Sequence, residues 1–233
     1  GAITTGIRSW MGETTPFGWP AVSSQFGVLD TTGAFKDNAY LLKSWWTDAP
    51  MVHILPHWNW PKRIGQTIPV WVYANADEVE LFLNGASLGR QRMKPNSHLE
   101  WQVAYQPGTL LAKGYRAGRE IASDRVDTTG PEKTLTLQAD HDAVVSDGND
   151  VAVVAIGAID SEGRHVPTGN DDVSFAISGP ARIIGVGNGD PSSHEADRFV
   201  DSYAVVQVGG WQMAPLDPRN ASRPLANKAK LKW

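Results

Sequence analysis

Residues Ile68 to Leu88, IPVWVYANADEVELFLNGASL, carry the pattern that decides the fold. Apolar side chains recur at every second position in two short runs, namely Val70, Val72, Val79, Leu81 and Leu83. A period of two places alternate residues on the same side of a pleated strand. Asn84-Gly85 follows, a dipeptide that favours a type I′ hairpin turn because both residues accept positive φ. The stretch therefore predicts antiparallel strands in a small β-sandwich.

Similar strand patterns lie on both sides of a polar joint, Thr128-Thr129-Gly130-Pro131. Because such a joint is typical of a domain boundary, we predict one immunoglobulin-like sandwich over residues 48–127 and a second, complete or incomplete, over residues 131–208. Beyond Gly209 the chain has three prolines, and Arg219 to Trp233 carries five basic and no acidic residues. This composition predicts a basic, disordered tail over residues 209–233.

The composition excludes several classes of function. A chain of 233 residues with 41% hydrophobic and 20% charged residues has room for two folded domains. A net charge of −4 offers no basic field for nucleic acid, and the absence of cysteine excludes disulfides and thiolate metal sites. There is no apolar run long enough for a membrane span. Because Gly1 replaces an initiator methionine and no signal-peptide pattern follows, we expect the chain to start inside a longer protein.

Tryptophan is the one unusual feature of the composition. Seven of the ten tryptophans lie in the first 71 residues: Trp10, Trp19, Trp45, Trp46, Trp58, Trp60 and Trp71. An exposed tryptophan can stack on a sugar ring, whereas a buried one supplies apolar area to a core. At any single position, the buried interpretation is the commoner one.

Residues 1–47 are rich in turns and contain one helix candidate. That helix is predicted over Phe35 to Trp46, with Asp37 as its N-cap and apolar residues at helical spacing. A single loop and helix cannot bury their own apolar surface. The segment therefore needs neighbouring elements to be stable.

Three stretches resemble bacterial β-galactosidases of glycoside hydrolase family 2. HILPHWNWP at His53 to Pro61, followed by VWVYANADEVELFLNGASLGR, is similar to the β-sandwich after their catalytic barrel. GETTPFGWPAVSSQFGVLDTTGAFKDNAYLLKSWW at Gly12 to Trp46 resembles the end of that (β/α)8 barrel. ISGPARIIGVGNGDPSSHEAD at Ile177 to Asp197 resembles a later immunoglobulin-like domain.

The resemblance implies an accessory C-terminal part of a β-galactosidase, which braces the catalytic barrel and is inactive alone because both catalytic glutamates lie upstream. It implies no catalytic residue in this chain and no cofactor. Its partners would be the barrel of the same protein and, through the parent enzyme, a β-galactoside or other glycan. Family members carry Trp-Thr-Gly-Phe-Asp-Tyr-x-Gly-Glu at a sugar-facing strand. This chain has TTGIRSWMGE at residues 4–13, in which that Trp and Asp are missing and the spacing is one residue longer. The candidates that the resemblance leaves for sugar contact are Trp10 and Glu13.

Two groups of residues have both a metal-binding and a structural interpretation. His53 and His57 have the spacing of a helical metal pair, but the intervening Pro56 argues against a helix. We therefore expect His57, Trp58 and Trp60 to pack the sandwich against the barrel. The loop acids Asp142, Asp147, Asn149 and Asp150 have oxygen ligands that suit calcium. Since their spacing is not that of an EF-hand, a solvated loop is the preferred interpretation and no metal site is assigned.

Two rival functions remain open on the sequence alone. One is a stand-alone carbohydrate-binding or adhesin-like module built from two sandwiches, without enzymatic activity. The other is an independent hydrolase that uses Glu13. The paired acids Glu78 and Glu80 do not favour a hydrolase, because they alternate with Val79 and Leu81 and so belong to the solvated face.

Overall fold

The computed structural model describes residues 12, 14, 16–23, 25–145, 147–177, 179, 181–196, 205–209 and 227–232, with backbone alone for the last two segments. The described residues divide into two compact units. The first unit comprises residues 36–129, and the second comprises the described residues up to Phe35 and those from Gly130 onwards. Among the described residues, no helix is long and apolar enough to cross a membrane.

The first unit is an antiparallel β-sandwich with one helix. Its elements are helix α1 (Asp37–Trp46), a 3-10 turn (Pro61–Arg63) and strands β1 (Val52–Leu55), β2 (Thr67–Ala74), β3 (Glu78–Leu83), β4 (Ala86–Arg92), β5 (Leu99–Ala104), β6 (Thr109–Arg116) and β7 (Arg119–Asp127). The strands form a three-stranded sheet in the order β1-β2-β5 and a four-stranded sheet in the order β4-β3-β6-β7. The predicted mainly β, antiparallel architecture is confirmed, while its assignment as immunoglobulin-like stays a prediction.

The core of this sandwich follows the alternation in the sequence. Val79, Leu81 and Leu83 of β3 are buried, while Glu78 and Glu80, which alternate with them, are only partly covered. Strand β2 pairs with β5 so that Val70 lies opposite Trp101, and both side chains are buried. Burial of such apolar surface contributes about 25 cal/mol per Å² and is the main force that holds the two sheets together.

The hairpin predicted at Asn84-Gly85 joins β3 to β4. Both residues have positive φ, 51° at Asn84 and 83° at Gly85, as a type I′ turn requires. The Asn84 side chain also fixes the neighbouring β6, because its Oδ1 accepts a hydrogen bond of 2.8 Å from the Thr109 N–H. The turn therefore connects three strands.

Helix α1 begins at Asp37, two residues after the predicted start, and packs against β1 and β2. The prediction that Asp37 is the N-cap is wrong, because Lys36 occupies that position and no side chain caps the helix. The Asp37 carboxylate instead bonds to His53 on β1. A long-range partner has replaced the local capping bond that its side chain favours.

The second unit is also built from antiparallel strands. They are β8 (Thr134–Ala139), β9 (Val151–Ile159), β10 (Asn170–Ser174), β11 (Arg182–Gly187), β12 (Val205–Gly209) and β13 (Asn227–Lys232). One sheet has the order β11-β13-β9-β8, and the other pairs β10 with β12. Its described core is smaller and consists of Val154, Ile156, Val173, Ile183 and Val186.

The prediction of a disordered tail is wrong for residues 227–232, which form strand β13. This strand lies between β9 and β11 and pairs antiparallel with both. Its sequence, NKAKLK, alternates lysine with Ala229 and Leu231. That period of two is a strand pattern. The prediction of disorder rested on the basic charge of the segment and overlooked this pattern.

The described part of the N-terminal segment up to Phe35 belongs to the second unit, whereas helix α1 belongs to the first. The Val22 N–H donates a hydrogen bond of 2.6 Å to the carbonyl of Pro191. Residues 1–47, which the sequence grouped as one piece, are therefore divided between the units. Their origin as the end of a barrel stays a prediction.

Candidate functional site

The residues predicted to touch sugar, Trp10 and Glu13, lie outside the described residues. The three residues predicted to pack between domains follow strand β1. Trp58 is 0% exposed in the core of the first unit, and its indole N–H donates a hydrogen bond of 2.9 Å to the Gln106 carbonyl. Trp60 donates to the carbonyl of His57 at 2.8 Å. These contacts tie the segment to its own sandwich, and packing against a barrel stays a prediction.

His57 is buried beside Trp60, with ring centroids 4.4 Å apart. Burial lowers the pKa of His57 from 6.5 to about 4, because the charged imidazolium is removed from water. Its Nδ1 accepts a hydrogen bond of 3.2 Å from the Asn59 N–H. His57 is therefore a neutral packing residue in the structure, held by the turn that follows it.

Neither of the metal-binding interpretations has a matching cluster in the structure. No group of three or more His, Asp or Glu side chains among the described residues is arranged to hold a metal ion. In the acidic loop, Asp147 Oδ1 accepts hydrogen bonds from the N–H groups of Asn149 and Asp150. Asp150 Oδ2 accepts one from Val145. These carboxylates shape the loop.

His53 lies at the centre of a buried polar cluster that the sequence did not indicate. Its Nε2 is 2.8 Å from Asp37 Oδ1, and its Nδ1 is 3.9 Å from Asp124 Oδ2. The Tyr40 ring stacks on the imidazole with ring centroids 3.9 Å apart. Burial and, second, the Asp37 charge raise the pKa of the Tyr73 hydroxyl. The cluster joins helix α1 to β1, β2 and β7. Because it is buried and links these elements, its role is structural, and it is called the His53 clamp.

A polar cleft of about 600 Å³ lies in the first unit, between the end of helix α1 and three turns of the sandwich. Asn75, on its wall, donates to the carbonyls of Thr47 and Ala49 and accepts from the Met51 N–H. Asp77 accepts a hydrogen bond of 2.9 Å from the Ala117 N–H. These two side chains hold the turns in place.

Trp19 is the most exposed of the described large apolar side chains, with 84% of its surface accessible. Its ring lies 4.4 Å from that of His194, at an angle of 45°. The Nε2 of His194 is 2.9 Å from the carbonyl oxygen of Pro20, within hydrogen-bond distance. Phe17, two residues before Trp19, is also exposed. Sequence reasoning counted Trp19 among the tryptophans but had no signal for its distant partner.

The loop that carries His194 contains a network of polar side chains. Asn188 Nδ2 donates hydrogen bonds of 3.2 Å to Ser193 Oγ and 3.0 Å to Glu195 Oε2. Asn188 Oδ1 accepts from the Asp190 N–H at 2.9 Å, and Asp190 Oδ1 accepts from the Ser192 N–H at 2.7 Å. Amide, hydroxyl and carboxylate groups are thus held together in one loop, next to an exposed aromatic ring. This arrangement suits a polar ligand with one apolar face.

Two family models match the chain. Residues 65–122 match a domain of unknown function, DUF4982, and residues 135–205 match glycoside hydrolase family 2 C-terminal domain 5. The first match falls within the first sandwich. The second covers most of the strands of the second unit.

Two curated relatives share 41% identity with the chain. One is the β-galactosidase BoGH2A of Bacteroides ovatus, aligned over 201 residues that cover 85% of this chain and 23% of that protein. The other is a putative β-glucuronidase of Formosa agariphila, aligned over 174 residues that cover 71% of this chain and 16% of that protein. The chain thus spans less than a quarter of the length of either relative.

Solved structures support the same relationship. A β-glycosidase from Bacteroides vulgatus superimposes with a TM-score of 0.79 and 32% sequence identity, over 97% of this chain and 26% of that one. A glycosyl hydrolase family 2 member from Bacteroides cellulosilyticus gives a TM-score of 0.81 at 28% identity. Both matches extend over nearly the whole of this chain.

Proposed function

Since the chain belongs to glycoside hydrolase family 2 and corresponds to the C-terminal region of its members, we propose that it is the accessory, non-catalytic part of a β-galactosidase. Its role is to brace the catalytic barrel of the same protein. The observation that carries the proposal is the 41% identity to a β-galactosidase over 85% of the chain. Hydrolysis of β-glucuronides is the second candidate, which the Formosa agariphila relative favours at the same identity.

Exposed apolar side chains support a bracing role. On the first unit, Trp46 at the end of helix α1 is 70% exposed. On the second unit, Phe26 and Phe35 are exposed in the segment that resembles the end of a barrel. Large apolar groups in water are typical of surface that another domain covers, because covering it removes apolar area from solvent.

The chemistry of retaining glycosidases supports a non-catalytic role. Retention needs two carboxyl groups about 5 to 5.5 Å apart, open to the scissile bond, with one of them held protonated. Asp37 and Asp124 of the first unit lie on opposite sides of the His53 ring and are largely covered. Asp124 Oδ2 also accepts a hydrogen bond from the Ile54 N–H. They are therefore engaged in holding the fold.

A chimera tests the proposal. The C-terminal region of BoGH2A is replaced by this chain, and the control is BoGH2A with the same junction and its own region restored. We expect the chimera to hydrolyse p-nitrophenyl β-galactoside within about tenfold of the control, which corresponds to ~1.4 kcal/mol. The isolated chain should hydrolyse neither the galactoside nor p-nitrophenyl β-glucuronide. An inactive chimera beside an active control, or turnover by the isolated chain, would overturn the proposal.

A further inference from the structure

We propose that Trp19, Phe17, His194 and the loop of residues 188–195 form a glycan-binding surface, here named the Trp19 platform. It takes a sugar ring with one apolar C–H face, such as a terminal β-galactosyl unit. The inference rests on the proposed function for the class of ligand, since that function makes a β-galactoside the substrate of the whole protein. It adds that this accessory chain touches the glycan itself.

Trp19 lies open to solvent. An indole that is 84% exposed contributes little to the stability of the unit that carries it. Phe17 adds a second exposed ring two residues away. Aromatic side chains that face water beside polar groups are typical of interaction surfaces, where one ring face is apolar and its surroundings are wet.

The exposed Trp19 ring has a fixed neighbour, His194. His194 contacts the Trp19 ring at 4.4 Å and is within hydrogen-bond distance of the Pro20 carbonyl oxygen at 2.9 Å. His194 therefore connects to Trp19 through its ring and to the next residue through its nitrogen. Because His194 contacts the Trp19 ring, that ring loses less conformational freedom on binding than a free side chain does.

The loop that carries His194 is polar. Asn188, Ser193 and Glu195 form one hydrogen-bonded group, and His194 lies between the last two in sequence. Sugar hydroxyls need donors and acceptors at the edge of a stacked ring, and amide, hydroxyl and carboxylate groups supply both. A purely apolar docking surface for another domain would not require them.

The segment that carries Trp19 is attached to the loop of residues 188–195. The Val22 N–H donates a hydrogen bond of 2.6 Å to the Pro191 carbonyl, which joins the segment of Phe17 and Trp19 to the loop of residues 188–195. Close beside it, buried Asp30 lies against Gly189. The platform is thus assembled within one compact unit, so the isolated chain is the right material for a binding test.

The test is a titration of the purified chain with lactose, followed by the NMR shifts of the indole N–H signals. Methyl β-glucuronide is titrated in parallel, and maltose serves as the α-linked comparison. We expect lactose to bind at millimolar concentrations, and Trp19→Ala to weaken it at least about tenfold. The matched control is Trp46→Ala, which removes a similarly exposed tryptophan from the first unit and should leave the affinity unchanged. Because Trp19 is so exposed, its alanine variant should keep the wild-type unfolding midpoint.

The results separate this inference from the proposed function. If the chain binds neither lactose nor methyl β-glucuronide, or if Trp19→Ala binds as tightly as wild type, the platform is overturned even when the chimera is active. If Trp19→Ala lowers the melting temperature of the chimera without changing sugar binding, another domain covers Trp19 and the inference is again overturned. If lactose binds through Trp19 while the chimera is inactive, the platform stands and the proposed function fails.

Discussion

His53 Nε2 lies 2.8 Å from Asp37 Oδ1, and this buried contact fastens helix α1 to the edge strand β1. On its other side, His53 faces Asp124 of β7 at 3.9 Å. The second oxygen of Asp37, Oδ2, is buried without a hydrogen-bond partner. A helix, a three-stranded sheet and a four-stranded sheet thus meet at one imidazole.

Asp37→Ala should destabilise the first unit by about 1 to 3 kcal/mol, because it removes the hydrogen bond that joins two buried side chains, Asp37 and His53. The matched control is Asp48→Ala, which removes an exposed acid just after the same helix and should change stability by less than about 0.5 kcal/mol. The measurement is urea unfolding followed by tryptophan fluorescence.

A double-mutant cycle with His53→Ala checks that the pair acts as a unit. We expect the double variant to lose less stability than the sum of the two single losses, with a coupling of about 1 to 3 kcal/mol. Additive losses would mean that Asp37 and His53 contribute separately, and the clamp would then be the wrong description.

Gly108→Ala should destabilise the first unit because its backbone and its neighbour both exclude a side chain. Its φ is +141°, and an added Cβ would overlap the Oδ1 atom of Asn84. We expect a loss of about 2 to 4 kcal/mol from overpacking and strain together. Gly65→Ala is the control, since Gly65 also has positive φ, at +76°, but open space around its Cβ position. If the two variants lose the same stability in thermal unfolding, the overlap with Asn84 does not contribute to the loss.

The stability of the first unit should fall as the pH drops from 6.5 towards 4. Unfolded His57 takes up a proton below its ordinary pKa of 6.5, whereas the folded residue does so only near 4. Between pH 6.5 and 4, protonation of His57 therefore favours the unfolded chain, and at pH 4 it lowers the free energy of unfolding by about 3 kcal/mol. Above pH 6.5, His57 does not change the stability.

His57→Phe tests this dependence because it keeps an aromatic ring beside Trp60 but cannot titrate. The variant should show a flatter dependence of unfolding free energy on pH between 6.5 and 4 than wild type does. His141→Phe, in the second unit, is the control and should leave the slope of the first unit unchanged. A wild-type slope in His57→Phe would show that other groups carry the pH dependence.

The sequence predicted the structural elements that depend only on neighbouring residues. The alternation around Val79 and Leu81 and the turn at Asn84-Gly85 needed no distant partner, and both are present in the structure. Asp37 shows the limit of this reasoning, because His53, 16 residues away, is the partner that decides its role. Strand β13 shows it again, since its pairing partners β9 and β11 lie far back in the chain.

The same limit applies to the candidate site. Trp19 was one of many tryptophans in the sequence, and its contact with a residue 175 positions further on has no local signature. Exposure is equally invisible, because a buried and an exposed tryptophan are written with the same letter. Only the assembled unit brings the ring and the polar loop together.

Gly189 lies where the N-terminal segment contacts the loop of residues 188–195 within the second unit. Its φ is +70°, and an added Cβ would overlap Oδ2 of Asp30. Asp30 is buried, and its Oδ1 accepts hydrogen bonds from Thr32 Oγ1 at 2.7 Å and the Ala34 N–H at 2.8 Å, so it has little freedom to move away. Gly189→Ala should therefore loosen the segment that contains the exposed Phe26.

Chymotrypsin, which cleaves after aromatic residues, should cut Gly189→Ala at Phe26 faster than wild type, about 5- to 160-fold for an overpacking cost of ~1 to 3 kcal/mol. Gly163→Ala is the control, because Gly163 has a similar φ of +76° and open space at its Cβ position. Adding Asp30→Ser to Gly189→Ala shortens the opposing side chain and should restore part of the resistance. If Gly189→Ala and Gly163→Ala are cleaved at the same rate, backbone strain alone explains the effect, and Asp30 does not hold the segment to the loop that carries His194.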